Sequence, residues 1–196
     1  MCLLLETIKV RNRCFHHVEY HQERVNQSRA VLFPESEQLA LSDIFIPPEL
    51  TKEIYKCRVT YGEKIENITF LPYIKKLVNQ VKLVEADNLE YPFKYLNRAA
   101  FVQLQNNNPG YDEVIIVQNG LITDTTYSNL AFYTGSKWYT PTSPILNGTC
   151  RQRLLDEGVL EKTDITPVDL PRFTRVSLIN AMLELDELSF STLQIR

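Results

Sequence analysis

The residue whose neighbours best equip it for covalent chemistry is Lys94, within Tyr91-Pro92-Phe93-Lys94-Tyr95-Leu96-Asn97-Arg98. An exposed lysine stays protonated near a reference pKa of about 10.4, whereas desolvation or a neighbouring cation can hold a free amine near neutrality. A free amine attacks an aldehyde. Tyr91, Phe93 and Tyr95 can exclude water from Lys94, and Arg98 follows four residues on. The same eight residues also describe a lysine that only lays its stem along aromatic rings. What stands further down the chain separates the two readings.

Asp124 lies in Ile122-Thr123-Asp124-Thr125-Thr126-Tyr127-Ser128-Asn129-Leu130, after a strand-like run over 113–117 and an Asn119-Gly120 turn that favours a hairpin. Alone it is either a polar hairpin residue or the partner of a cation. Pro144-Ile145-Leu146-Asn147-Gly148-Thr149-Cys150-Arg151 then leads into the helical pattern of Arg153, Leu154 and Leu155. Small residues opening a helix present backbone N–H groups and the positive end of the helix dipole, a ready phosphate site. A lysine, an acid and an anion-binding turn therefore follow one another in order.

With this wording, the ordered set resembles the fold-type IV pyridoxal-phosphate enzymes: branched-chain and D-amino acid aminotransferases and aminodeoxychorismate lyase. Lys-x-Leu-Asn-Arg at 94–98 looks like the lyase-type Schiff-base segment. Asp124 with Ser128-Asn129-Leu130 looks like the cofactor-ring segment, and Ile145-Leu146-Asn147-Gly148 with Arg151 looks like the phosphate cup. Upstream, Leu5-Glu6-Thr7-Ile8-Lys9-Val10 resembles the family's Glu-Thr strand, and His21-Gln22-Glu23-Arg24 resembles its His-x-x-Arg helix.

The resemblance implies pyridoxal 5'-phosphate as cofactor, a Schiff base at Lys94 as the catalytic residue, and cofactor binding by Arg24, Lys94, Asp124, Ser128, Asn129, Gly148, Thr149 and Cys150. Arg24 and the amides of Thr149 and Cys150 would hold the phosphate, and Asp124 would stand where the family has Glu, one methylene longer. Asn180, in Asn180-Ala181-Met182, resembles the family's substrate edge. The implied activity is that of a class IV aminotransferase or an aminodeoxychorismate lyase-like enzyme, acting on an amino acid or an amino-chorismate-like substrate as a homodimer. The alternative is a non-catalytic relative that binds the cofactor or an anion. Family members carry two or three strands ahead of the Glu-Thr segment, which here begins at residue 5, so a minimal substrate wall is expected.

The elements that must position these residues follow from periodicity. Residues 3–10 read as a strand closed by a polar turn at Arg11-Asn12-Arg13. In the helix that follows, Val18, His21, Val25 and Leu32 share one face, while Glu19, Glu23 and Arg29 suit solvent. His17 and His21 stand one helical turn apart, but no third ligand lies near them and no metal is expected. A short helix is predicted over 39–46, stopped by Pro47-Pro48. Residues 54–61 and 65–73 read as a hairpin about Gly62, and 81–84 as a further strand; Glu85-Ala86-Asp87-Asn88 reads as the connection between lobes. A helix over 99–105 stops at Asn106-Asn107-Asn108-Pro109-Gly110. Strands over 112–118, 121–124, 129–133 and 137–140 precede a helix from 149 to the Gly158 C-cap, and 165–170, 176–185 and 188–193 complete the chain. The fold class is α/β (α+β): a two-lobed, D-amino acid aminotransferase-like fold with a small N-terminal α/β lobe at 1–88 and a larger β-rich lobe at 89–196.

Composition narrows the function classes. At 196 residues and 44% hydrophobic, the chain can bury a sizeable core. Its net charge of −3 comes from interspersed charges, so neither nucleic acid nor a membrane surface is an expected partner. The apolar start Met1-Cys2-Leu3-Leu4-Leu5 is interrupted by Glu6 and Lys9 before signal-peptide length, which reads as cytoplasmic. Cys2, Cys14, Cys57 and Cys150 are scattered, as reduced thiols would be.

Overall fold

The structure, a computed structural model, describes residues 2–50 and 53–196. The chain forms two compact units: Met1–Lys75 with Phe93–Asn97, and Lys76–Pro92 with Arg98–Arg196.

The first unit is an antiparallel sheet with one long helix. Its strands are β1 (Leu4–Arg11), β2 (Cys14–Phe15), β3 (Tyr55–Tyr61) and β4 (Ile65–Pro72), in the order β2-β1-β3-β4. β1 and β3 pair over seven residues, from Leu4↔Tyr61 to Val10↔Tyr55. The β1–β2 turn places Asn12 and Arg13 at φ 52° and 57°, two successive left-handed residues whose twist matches that of a hairpin. Helix α1 (Val18–Leu32) buries His21, Val25, Ser28 and Arg29. The core gathers Leu4, Ile8 and Val10 from β1, Val25 from α1, and Cys57, Val59 and Tyr61 from β3; Phe93 and Tyr95 pack against it.

Three expectations change here. Residues 39–46 hold only a 3₁₀ turn, Leu41–Asp43. The Gln22 side chain of α1 takes their backbone instead, donating to Leu39 O at 2.7 Å and accepting from Leu41 N at 2.7 Å. Arg29, expected in solvent, is buried because it caps the β3–β4 turn, donating to Gly62 O at 3.2 Å and Glu63 O at 2.5 Å as well as to Ser36 Oγ at 2.7 Å. The units divide between Lys75 and Lys76 rather than at residue 88. Residues 85–88 belong within the second unit, where Ala86 N donates to Val117 O and Asp87 accepts from Asn119 N.

The second unit is built on β5 (Val81–Glu85), β6 (Glu113–Gln118), β7 (Leu121–Thr125), β8 (Asn129–Tyr133), β9 (Trp138–Pro141) and β10 (Leu160–Thr163), ordered β10-β9-β8-β7-β6-β5. β5·β6 and β9·β10 are parallel. β11 (Arg175–Ile179) lies along β8 and pairs with β12 (Ser189–Ser191); helices α2 (Ala99–Asn106) and α3 (Thr149–Asp156) complete the unit. The run over 176–185 is a strand only as far as Ile179, because Asn180 and Leu183 then bond to each other across a turn. β8 meets β7 only at Asp124↔Asn129 and β9 only at Phe132↔Tyr139 and Tyr133↔Trp138. Between those contacts the Thr140 hydroxyl satisfies Leu130 O at 2.8 Å. The sheet thus parts beside Asp124 and Asn129.

Arg29→Ala should destabilise the protein by about 2–3 kcal/mol, because it strands two backbone carbonyls of the β3–β4 turn. Urea unfolding measures this, and a loss within about 0.5 kcal/mol, the range of an ordinary surface substitution, would show the turn to be held by other contacts.

Candidate functional site

In the first unit Lys94 sits on a strand-like strip added to β1. Leu5 N donates to Lys94 O at 2.9 Å, Leu96 N donates to Leu3 O at 2.8 Å, and Tyr95 bridges Leu4. The lysine is half-buried. Its chain neighbours Phe93 and Tyr95 meet each other in a T-shaped contact, ring centroids 6.0 Å apart, and pack against the core of the first unit. Tyr91 instead meets Phe101 edge-on at 4.9 Å. Arg98, expected as the cation near Lys94, donates to Thr126 O and lies over the Phe101 ring within the second unit.

The same strand carries Glu6, which is completely buried. Arg24 grips it at two points, Nε to Oε1 at 2.9 Å and Nη2 to Oε2 at 2.5 Å, and His21 Nδ1 lies 2.6 Å from Oε2. Burial alone would raise the carboxyl pKa; the Arg24 charge and the His21 hydrogen bond overcome it and bring Glu6 to about 2. His21 is pushed below its ordinary value, chiefly by burial against the pull of Glu6, and the charges of Arg24 and Lys94 push the same way. Lys94 is therefore within electrostatic reach of His21. The helical pattern predicts His21 on the buried face of α1 but not its partner, because Glu6 lies 15 residues from His21 and 18 from Arg24 and no local signal marks the pairing.

In the second unit the expected ring, cup and edge residues come together. Asp124 is buried, with Oδ1 accepting from Asn129 Nδ2 at 2.7 Å and Oδ2 from Leu146 N at 3.0 Å. Burial raises its pKa to about 6, against the lowering effect of these bonds and the Arg151 charge. Asn129 Nδ2 also donates to Leu146 O at 2.8 Å. Gly148, the N-cap of α3, has φ −73°, which any residue can adopt, so its need is for space. A Cβ there would collide with Asn129 Oδ1. Thr149 and Cys150 open α3 behind it, and N–H groups in a first turn point out of the helix end. The Cys150 thiol is turned into the core toward Leu183 O at 3.7 Å.

Arg151, which closes the cup motif, has a structural task that the sequence does not predict. Buried, it ties the loop before α3 by donating to Thr140 Oγ1 at 3.2 Å, Asn147 Oδ1 at 3.0 Å and Pro141 O at 2.7 Å. Asn180 donates to Ser128 Oγ at 2.8 Å and accepts from Met182 N and Leu183 N at 2.8 and 3.1 Å. Its side chain holds Ser128 and its own turn. His17 takes the N-cap of α1, and among the described residues no group of three His, Cys, Asp or Glu side chains is arranged to hold a metal.

These features, a helix-capped antiparallel sheet in one unit and, in the other, a branched sheet with a carboxylate tied to a helix N-terminus, are those of the class IV aminotransferase and aminodeoxychorismate lyase fold. The crystal structure of a proposed 4-amino-4-deoxychorismate lyase from Haemophilus somnus matches with a TM-score of 0.84 at 28% identity, over 94% of this chain and 98% of that one. A hypothetical aminotransferase from Mycobacterium tuberculosis, in its PLP-bound form, shares the fold with a TM-score of 0.73 at 18% identity, over 98% of this chain and 81% of that one. An uncharacterized protein of Haemophilus influenzae is 32% identical over 183 residues, 91% of this chain and 97% of that protein. A profile of the family described as Amino-transferase class IV matches residues 58–185. The chain belongs to this family, whose members depend on pyridoxal phosphate. No helix among the described residues is long and apolar enough to cross a membrane.

Gly148→Ala should cost about 1–3 kcal/mol by thermal unfolding, since the new methyl must displace the Asn129 amide and with it two hydrogen bonds. An unchanged melting temperature would show that the amide has room to move. The raised pKa of Asp124 has a signed consequence. Between its ordinary 3.8 and about 6 the folded state holds a proton that the unfolded chain releases. Rising pH therefore favours unfolding across that window, with no further effect above it. Relative to Asp124→Asn, the wild type should lose about 2–3 kcal/mol between pH 4 and pH 6 in urea titrations. A constant difference would place Asp124 at an ordinary pKa.

Proposed function

We propose that the chain is a pyridoxal-phosphate-dependent enzyme that acts on the amino group of an amino acid or an aminodeoxychorismate-like substrate, as a cytoplasmic homodimer. The carrying observation is the buried Asp124 carboxylate tied through Asn129 to the glycine-opened end of α3. That donor set fits a phosphorylated pyridine: an anion for a protonated ring nitrogen and a helix end for a phosphate.

In this reading Lys94 is the amine that holds the cofactor covalently, and Arg24 offers a guanidinium for its phosphate. Asp124 would face the ring nitrogen and the backbone N–H groups of Thr149 and Cys150 the phosphate; Gly148 leaves room for the Asn129 amide, and Ser128 and Asn129 hold the hairpin in register. When bound, pyridoxal phosphate supplies an electron sink for the substrate's reacting carbon. Lys94 then moves a proton on and off that carbon. Lys94 is half-buried, which limits the water that reaches it. Asp124 is ionised at neutral pH, since its raised pKa stays near 6.

A second reading, a relative that binds the cofactor without turnover, is favoured by one observation. Both Asp124 oxygens already accept bonds from their own unit, and the side chain is a methylene shorter than the family's Glu.

Adding pyridoxal phosphate to the purified protein should produce a visible absorption band that shifts with an amino-acid substrate. Borohydride reduction should then leave the mass label on Lys94, and Lys94→Ala should abolish both the band and the label. A label on another amine, or none, refutes the assignment. A band that no L- or D-amino acid or aminodeoxychorismate shifts selects the binding-only reading. Pyruvate released from aminodeoxychorismate identifies a lyase, and keto-acid-dependent amine transfer identifies a transferase.

A further inference from the structure

We propose that Glu6 is a positioning residue that aims the Arg24 guanidinium at the phosphoryl group of its ligand. This rests on the cofactor reading above and adds to it a residue with a defined task.

The geometry is that of a two-point clamp. Glu6 Oε1 takes Arg24 Nε and Oε2 takes Nη2, which fixes both the plane and the heading of the guanidinium. His21 stands three residues before Arg24 on α1, so both project from one helix face toward β1. Its Nδ1, 2.6 Å from Oε2, gives that oxygen a second partner beside Arg24 Nη2 and so holds the carboxylate in place. A glutamate with no solvent exposure survives only when paired in this way. Nδ1 faces a carboxylate, so it carries the ring proton, and Nε2 of the neutral ring is the acceptor. His21 thus orients without adding charge.

The charged and titratable groups around the clamp come from every element beside it: Glu6 on β1, Arg24 and His21 on α1, Lys94 on the added strip, and Tyr61 on β3, which feels both Glu6 and Arg24. Orientation and electrostatics then predict opposite outcomes. As a bare charge, Glu6 repels an anion held by Arg24, and removing it should tighten binding. As a clamp, its loss frees the guanidinium to swing, and binding should weaken although the repulsion is gone.

The test compares pyridoxal phosphate with pyridoxal, which lacks only the phosphoryl group, by equilibrium dialysis on wild type, Glu6→Gln and Glu6→Asp. Wild type should prefer the phosphorylated form. Both variants should lose about tenfold of that preference, with pyridoxal affinity held within about twofold. Glu6→Asp is decisive because it keeps the charge and shortens the reach. A folded Glu6→Asp that keeps the wild-type preference, or a Glu6→Gln that raises it, overturns the proposal and leaves the cofactor reading standing. A wild type without preference for the phosphorylated form overturns the cofactor reading itself, and this proposal with it. Should neither variant fold, NMR of the wild type decides. The Arg24 Nε–H should give a separate resonance, protected from exchange, both before and after inorganic phosphate is added; a rapidly exchanging, averaged signal overturns the clamp.

Discussion

One buried side-chain amide organises the second unit. Asn129 must point its nitrogen at Asp124 and at the Leu146 carbonyl, because both are acceptors and a reversed amide would set oxygen against oxygen. That choice turns Oδ1 toward α3, where only a residue without Cβ fits, so position 148 is glycine for reasons of space. Strand β7, strand β8, the loop before α3 and the helix itself meet at this group. Where β8 leaves β7 after a single residue pair, a rigid hydrogen-bonded amide does the holding that a longer ladder would do elsewhere.

The first unit reaches the same rigidity with charge. Desolvation works against an ionised Glu6, and the charge and hydrogen bonds of Arg24 and His21 overcome it and keep the carboxylate charged. Removing any member of such a network is costly, because each departure leaves a polar group buried without its counterpart. Asp124 is the contrasting case. Its partners are an amide and a backbone N–H, with a guanidinium acting at longer range, and burial prevails, leaving a weaker acid. Two buried carboxylates in one chain thus titrate on opposite sides of their ordinary values, according to whether a cation touches them.

Much of this was legible in the residues themselves. The elements that carry Asp124 and Gly148 follow from alternation, from Asn119-Gly120 and from the Gly158 stop, because those signals are local. Gly158 indeed ends α3 at φ 69°. Lys94, expected in the 89–196 lobe leading into a helix, instead lies on a strip bonded to β1 of the first unit, a pairing with residues about ninety positions earlier that leaves no local mark. What could not be read depends on side chains crossing between elements. Arg29 looked like a surface residue on a helical wheel, and only the β3–β4 turn, more than thirty residues away, makes it a buried cap. The helix expected over 39–46 fails because Gln22 competes for its backbone. Arg98 seemed to belong with Lys94 by spacing, yet its backbone opens α2 and its guanidinium follows. The pairing of Glu6 with His21 and Arg24 had no periodic signature at all.

The order in which the chain visits its two units bears on its synthesis. The first unit is not closed at Lys75: the strip Phe93–Asn97, which bonds to the amide of Leu5 and the carbonyl of Leu3, emerges only after seventeen residues that belong to the second. Those intervening residues include β5, whose partner β6 has not yet been translated when the strip arrives. Nascent chains generally fold one unit after another from the N-terminus. Here the early sheet must wait with an open edge along β1, and β5 must wait without its partner strand, until the ribosome delivers the residues that cover each.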